Sequence, residues 1–158
     1  MKLYFIRHGK AGYDAPTDEA RPLTDVGILQ AKNNGVFLKN LGIQPTKIYT
    51  SPRLRAHQTA QHIGIALGST PEINEACNFS FSLEKALELA SNYRDEDEIF
   101  FVGHNPSMSE VVTELTGAMV DMKPCAIACV HIMNTSYSQR AVLEWFIKPK
   151  IVSAMRSS

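Results

Sequence analysis

The sequence predicts an α/β domain, a three-layer α/β/α sandwich around a mostly parallel sheet. Three observations carry this prediction. Short apolar, β-branched runs alternate with segments of helical period along the chain. Two of the runs, residues 3–6 and 99–102, are continuously apolar, as in strands covered on both faces. The stretches between successive runs are long enough to be crossover connections.

The elements follow in order. The first strand is read at residues 3–6 and runs directly into Arg7, His8 and Gly9. A helix begins after Thr24, a suitable N-cap, and ends before Gly42, although Gly27 and Gly35 weaken its intrinsic propensity. A second strand at residues 47–50 leads into Ser51 and Pro52, which open a helix closing at Gly68. Leu83, Ala86, Leu87 and Ala90 fall at i, i+3, i+4 and i+7, as do Met108, Val111, Val112 and Leu115, so each set occupies one helical face. The strand at 99–102 lies between these two helices. Runs at 126–133 and 141–147 read as strands joined by a hairpin around residues 134–139. From Lys148 the chain is polar and mildly basic, which reads as a surface extension; the expected division is a domain over residues 1–150 and a tail over 151–158.

Composition limits the function. The chain has 158 residues, 44% of them apolar, which suits one domain with a substantial core. Lys+Arg and Asp+Glu both number 16, so no overall field draws nucleic acid or an anionic membrane, and recognition of charge must be local. No run approaches a membrane span or a signal-peptide core, and the expectation is a cytoplasmic protein without a membrane partner. Cys77, Cys125 and Cys129 lack C-x-x-C spacing and read as reduced, buried thiols. His57 and His62 stand five apart, on different faces of a helix, so a metal site is not expected there.

Three clusters share one design: an apolar strand enters a polar group of residues, and a helix follows. They are Arg7-His8-Gly9, Ser51-Pro52-Arg53-Leu54-Arg55 and Gly103-His104-Asn105-Pro106. In open α/β sheets ligands bind beyond the carboxyl ends of the strands, so the three clusters can meet in one crevice. Helices opening at Pro52 and Pro106 aim unpaired N–H groups and positive dipole ends there, with Ser51 and Asn105 as caps or anion-binding groups. Arg7 and Arg55 add forked, permanent charges that match phosphoryl oxygens. The positive neighbours disfavour protonation of His8, and neutral imidazole is a nucleophile toward phosphorus. His104 is placed to donate a hydrogen bond to the transferring group. Arg53 reads as an ordinary solvated helix residue.

R-H-G at residues 7–9, S-P-x-x-R-A-x-Q-T-A across 51–60 and V-G-H-N-P across 102–106 resemble the histidine phosphatase superfamily, also called phosphoglycerate mutase-like. R-H-G alone is a weak signal; the three in order at strand ends are a strong one. The resemblance covers roughly residues 1–150 and implies a phosphoglycerate mutase-like fold and a metal-independent phosphatase without a cofactor. It also implies that His8 takes the phosphoryl group covalently while Arg7, Arg55 and His104 surround it. Only residues 56–103 separate Arg55 from His104, so the long helical insertion of mutases is expected to be missing and the pocket to be shallow and open. That shortness, with R-P-L-T-x-x-G at 21–27, resembles the SixA-type branch, which implies phosphohistidine on a phosphotransfer domain or carrier protein as substrate and phosphate or other oxyanions as occupants of the site.

A leaving imidazole, whose conjugate acid has a pKa of about 6.5, needs less help from an enzymic acid than an alkoxide does. The candidate acids are Asp18, slightly preferred, and Glu75. Two alternatives stay open: a phosphatase of small phosphomonoesters, and a module that binds phosphorylated proteins without turning them over.

Overall fold

A computed structural model describes residues 1–134 and 139–156. Its centre is a sheet of six strands: β1 (Lys2–Arg7), β2 (Lys47–Thr50), β3 (Glu72–Ile73), β4 (Glu98–Gly103), β5 (Ile127–Asn134) and β6 (Gln139–Ile147). Their order is β3-β2-β4-β1-β5-β6. Pairing is parallel from β3 through β1, and antiparallel for β1 with β5 and for β5 with β6. The mostly parallel sheet of the sequence reading is therefore present. The strands of the expected hairpin pair as read, while residues 135–138 between them lie outside the described residues.

Alternation along the central strands divides the core into two layers. Leu3, Phe5, Ile99 and Phe101 face one side, packing with Ala86, Ala90, Met108, Val111 and Val112 of α3 (Leu83–Ala90) and α4 (Ser107–Thr116). Tyr4, Ile6, Phe100 and Val102 face the other, against Leu38 of α1 (Asp25–Asn40) and Ala56, Ala60 and Ile63 of α2 (Leu54–Leu67). Burial on both faces explains why β1 and β4 read as unbroken apolar runs. The three cysteines are free and buried. No described helix is long and apolar enough to cross a membrane.

Several helix ends match their sequence signals. Thr24 caps α1, its Oγ1 accepting from Gly27 N at 3.1 Å. Gly68 closes α2 in the left-handed region at φ 68°. The other N-termini differ. Helix α2 starts after Arg53, without a side-chain cap, and Ser51 instead accepts from Arg53 N at 3.2 Å. Helix α4 starts after Pro106, and Asn105 reaches forward to accept from Ser109 N at 3.3 Å. Across the expected surface extension, Pro149–Arg156 is helix α5, which buries Val152 to 1% exposure and packs beside α1. Two turns with one buried residue are too short for a periodicity reading to register.

Candidate active site

The order β2-β4-β1 puts the carboxyl ends of three adjacent parallel strands side by side, and each ends in one of the polar clusters. The registers Arg7↔Gly103 and Thr50↔Val102 bring His8, Ser51 and His104 to one edge. His8 N donates to Gly103 O at 2.9 Å and Ser51 N to Val102 O at 3.0 Å, fixing the backbone there. Gly103 is required at that edge: a Cβ would meet Cys77 O at 2.6 Å.

His8 and His104 lie with ring centroids 5.3 Å apart. His8 Nδ1 is 2.7 Å from Gly9 O, a carbonyl that can only accept, so Nδ1 carries the proton and Nε2 the lone pair. Burial, outweighing that hydrogen bond and joined by the charges of Arg55, Arg7 and Arg21, lowers the His8 pKa to about 4. His8 is neutral at pH 7. The Gly9 peptide is itself held, its N–H donating to Thr59 Oγ1 at 3.0 Å while the Thr59 hydroxyl donates to Arg55 O at 2.8 Å.

His104, 2% exposed, has Nε2 2.8 Å from Ser51 Oγ. Ser51 Oγ accepts from Arg53 N and keeps a hydroxyl proton that can be donated to His104 Nε2. In the tautomer that accepts it, the proton of His104 sits on Nδ1, a buried atom with no partner among the described residues. Burial first, and the charges of His8, Arg55 and Arg53, lower its pKa to about 3.

Arg7 Nη1 donates to Met122 O at 2.8 Å, and its Nε is buried without a partner among the described residues. Asn105 Nδ2 reaches the same carbonyl at 3.3 Å, so loop 118–126 ties two of the clusters together. Arg55, 3% exposed, donates through Nη1 to Asp18 O at 2.8 Å and through Nη2 to Asp18 Oδ2 at 3.1 Å. Burial lowers the pKa of both arginines, whose reference value leaves them charged. Asp18, its side chain 47% exposed, also meets Arg21 and Arg53. Against a desolvation push upward, hydrogen bonds from Arg21 and Arg55 and the charges of Arg55 and Arg53 hold its carboxyl below the ordinary range. Glu75 is exposed and accepts from Asn78 Nδ2 at 2.8 Å, one side chain removed from the arginines.

Residues 3–78 match the sequence profile of the Histidine phosphatase superfamily (branch 1). A phosphohistidine phosphatase SixA homolog from Haemophilus influenzae is 31% identical over 141 residues, spanning 81% of this chain and 86% of that one. The chain belongs to the histidine phosphatase superfamily, of the SixA type. The phosphohistidine phosphatase SixA of Escherichia coli is 36% identical over 67 residues, 42% of either chain. The structure of the protein histidine phosphatase SixA complexed with tungstate has the same fold, with TM-score 0.84 at 24% identity over 96% of this chain and 99% of that one. So does a phosphoserine phosphatase from Entamoeba histolytica, with TM-score 0.71 at 18% identity over 94% and 98%.

In this member of the superfamily the motif positions without obvious chemistry hold the strand-end clusters together. Gln58 Oε1 accepts from Leu23 N at 2.8 Å, so the Q-T pair secures the 10–24 loop as well as Gly9. Arg21 Nε donates to Gly12 O at 2.9 Å. The sequence reading of Arg53 as a solvated helix residue is corrected: its side chain, 15% exposed, donates to Asn78 Oδ1 at 2.8 Å and to Asp18, and covers the Phe79 ring at 4.0 Å. Phe79 and Asn78 were missed altogether. They come from a loop with no motif, and only the fold brings it beside His104.

Proposed function

We propose that this chain hydrolyses phosphohistidine on a phosphorylated protein through a covalent intermediate on His8. The observation that carries the reading is the state of the histidine pair. His8 is half-buried, neutral and protonated on Nδ1, and it is flanked by two buried donors, Arg7 Nε and His104 Nδ1, that no described protein atom satisfies. Each such donor costs about 1–3 kcal/mol when left unpaired, and an oxyanion bound against His8 relieves both.

His8 Nε2 attacks phosphorus, and the bond from phosphorus to the substrate imidazole breaks with its electron pair going to that nitrogen. The substrate ring, protonated on its other nitrogen, leaves as neutral imidazole. His8 becomes a cation whose Nδ1–H stays on Gly9 O. Water then attacks phosphorus, the pair returns to Nε2, and the water proton passes to solvent. Arg7, Arg55 and His104 stabilise the three equatorial oxygens, with Asn105 and Ser51 as supports, and the arginines supply the charge without a metal or cofactor.

Held ionised by three arginines, Asp18 is a counter-charge that orients Arg55 and Arg53, not an acid, and Glu75 acts only through Asn78. A site without a resident acid favours an imidazole leaving group over an alkoxide. The short connection from α2 to β4, holding only β3, a 3-10 turn (Glu75–Cys77) and α3, leaves the mouth open to a protein-borne substrate. The SixA names of the relatives point the same way.

The test is rapid mixing with a phosphotransfer domain carrying labelled phosphohistidine, quenched without acid. Label is expected on His8, absent in His8→Ala, and turnover is expected to persist in EDTA. Arg7→Ala and His104→Ala are expected to lower kcat by roughly 10²–10³-fold. Equal or better kcat/KM on a sugar phosphate assigns the site to small phosphomonoesters, and binding without turnover or label assigns it to phosphoprotein recognition.

A further inference from the structure

Phe79 is 53% exposed, yet it is held from several directions. The Arg53 guanidinium lies 4.0 Å from its ring centroid, Arg55 5.8 Å away, and the His104 ring meets it in a T-shaped contact at 4.8 Å. The backbone beneath it is fixed too. Asn78 Oδ1 accepts from both Phe79 N at 2.9 Å and Arg53 Nε at 2.8 Å, so one amide sets the ring and the guanidinium together. A half-exposed phenyl ring pinned at the edge of a charged site keeps an apolar surface available to a ligand.

Its distance from the reacting centre fits a leaving group, and a phenyl ring has no donor to offer a phosphoryl oxygen. Centroid separations of 5.3 Å from His8 to His104 and 4.8 Å from His104 to Phe79 place the phenyl ring within about 10 Å of the His8 ring. With Nε2 roughly 3–3.5 Å from phosphorus and the leaving nitrogen in line behind it, a departing ring lies on the order of 5–8 Å from His8. That is the region a ring contact from Phe79 can reach.

We propose that Phe79, positioned by Asn78 and Arg53, is a specificity-determining residue that packs against the departing imidazole of phosphohistidine. The inference rests on the phosphohistidine reading above. Phe79 selects a planar ring on phosphorus over leaving groups that lack one.

Two small phosphodonors separate the ring from the bond: phosphoimidazole and phosphoramidate both present a P–N bond, and only the first carries a ring. In Phe79→Ala, kcat/KM for phosphoimidazole is expected to fall about tenfold, the upper range of a ring–ring contact, while the phosphoramidate value stays within about twofold. Phe79→Leu, which keeps the volume without the ring, is expected to fall likewise, and Phe79→Tyr to restore the parent ratio. Equal losses on both donors, or none on either, overturn the proposal, the first because the ring then only supports His104 and the arginines. If the parent chain cleaves neither P–N compound, the phosphohistidine reading itself fails and this inference with it.

Discussion

Thr59 is the residue that ties the helix carrying Arg55 to the peptide that sets the His8 tautomer. Its hydroxyl accepts from Gly9 N and donates to Arg55 O, and the Gly9 carbonyl in turn holds the Nδ1 proton of His8. Thr59→Val keeps the shape but leaves a buried N–H unpaired. The expected cost is about 1–3 kcal/mol in urea unfolding. A loss of at least about tenfold in kcat should accompany it, because the peptide that sets the His8 tautomer is released. Thr59→Ser should retain both. Nitrogen chemical shifts of His8 read the tautomer directly, and an unchanged Nδ1–H signal in Thr59→Val with full activity would remove Thr59 from any positioning role.

At the scale of elements, the first turn of α1 presses on the strap that follows β1. A Cβ on Gly27 would lie 2.1 Å from Lys10 O, and one on Gly9 would lie 2.9 Å from Gly27 O. Those contacts are backbone on backbone and cannot be relieved by rotating a side chain. Gly27→Ala is therefore expected to destabilise by about 1–3 kcal/mol or more. It should also lower turnover, since the displaced strap carries the Gly9 carbonyl. Gly12→Ala is the control: its nearest neighbour would be 3.8 Å away, and the expected change is within about 0.5 kcal/mol. Thermal melts of the two variants side by side decide the point.

For the whole molecule, burying two neutral histidines beside arginines makes folding depend on pH. Unfolded, each titrates near its ordinary value of about 6.5. Folded, His8 is lowered to about 4 and His104 to about 3. Between about pH 6.5 and these values the unfolded chain binds protons that the folded chain refuses, so stability must fall as pH falls through that window. Asp18, also lowered, adds loss of the same sign at more acid pH. Melting temperature is expected to drop steadily from pH 7 to pH 4, with a flatter profile in His8→Ala. The acid limb of kcat/KM should follow the free enzyme's His8 and fall near pH 4, not 6.5. A limb near 6.5 would show that His8 is not desolvated in solution.

The strands, their crossover connections and the meeting of the three strand-end clusters could be read from the chain because local rules determine them: unbroken apolar runs demand burial on both faces, and strand ends in a parallel sheet share one edge. The N-cap at Thr24 and the stop at Gly68 are local in the same way. What only the tertiary structure decided depends on contacts between residues far apart in sequence. Arg53 is bound because Asp18 and Asn78 reach it across 35 and 25 residues, Ser51 meets His104 across 53 instead of capping α2, and Phe79 lies against His104 because Asn78 and Arg53 hold it there. The pairing of Asp18 has the same reason: charge state follows the three-dimensional environment, and three guanidinium groups converge on it only after folding.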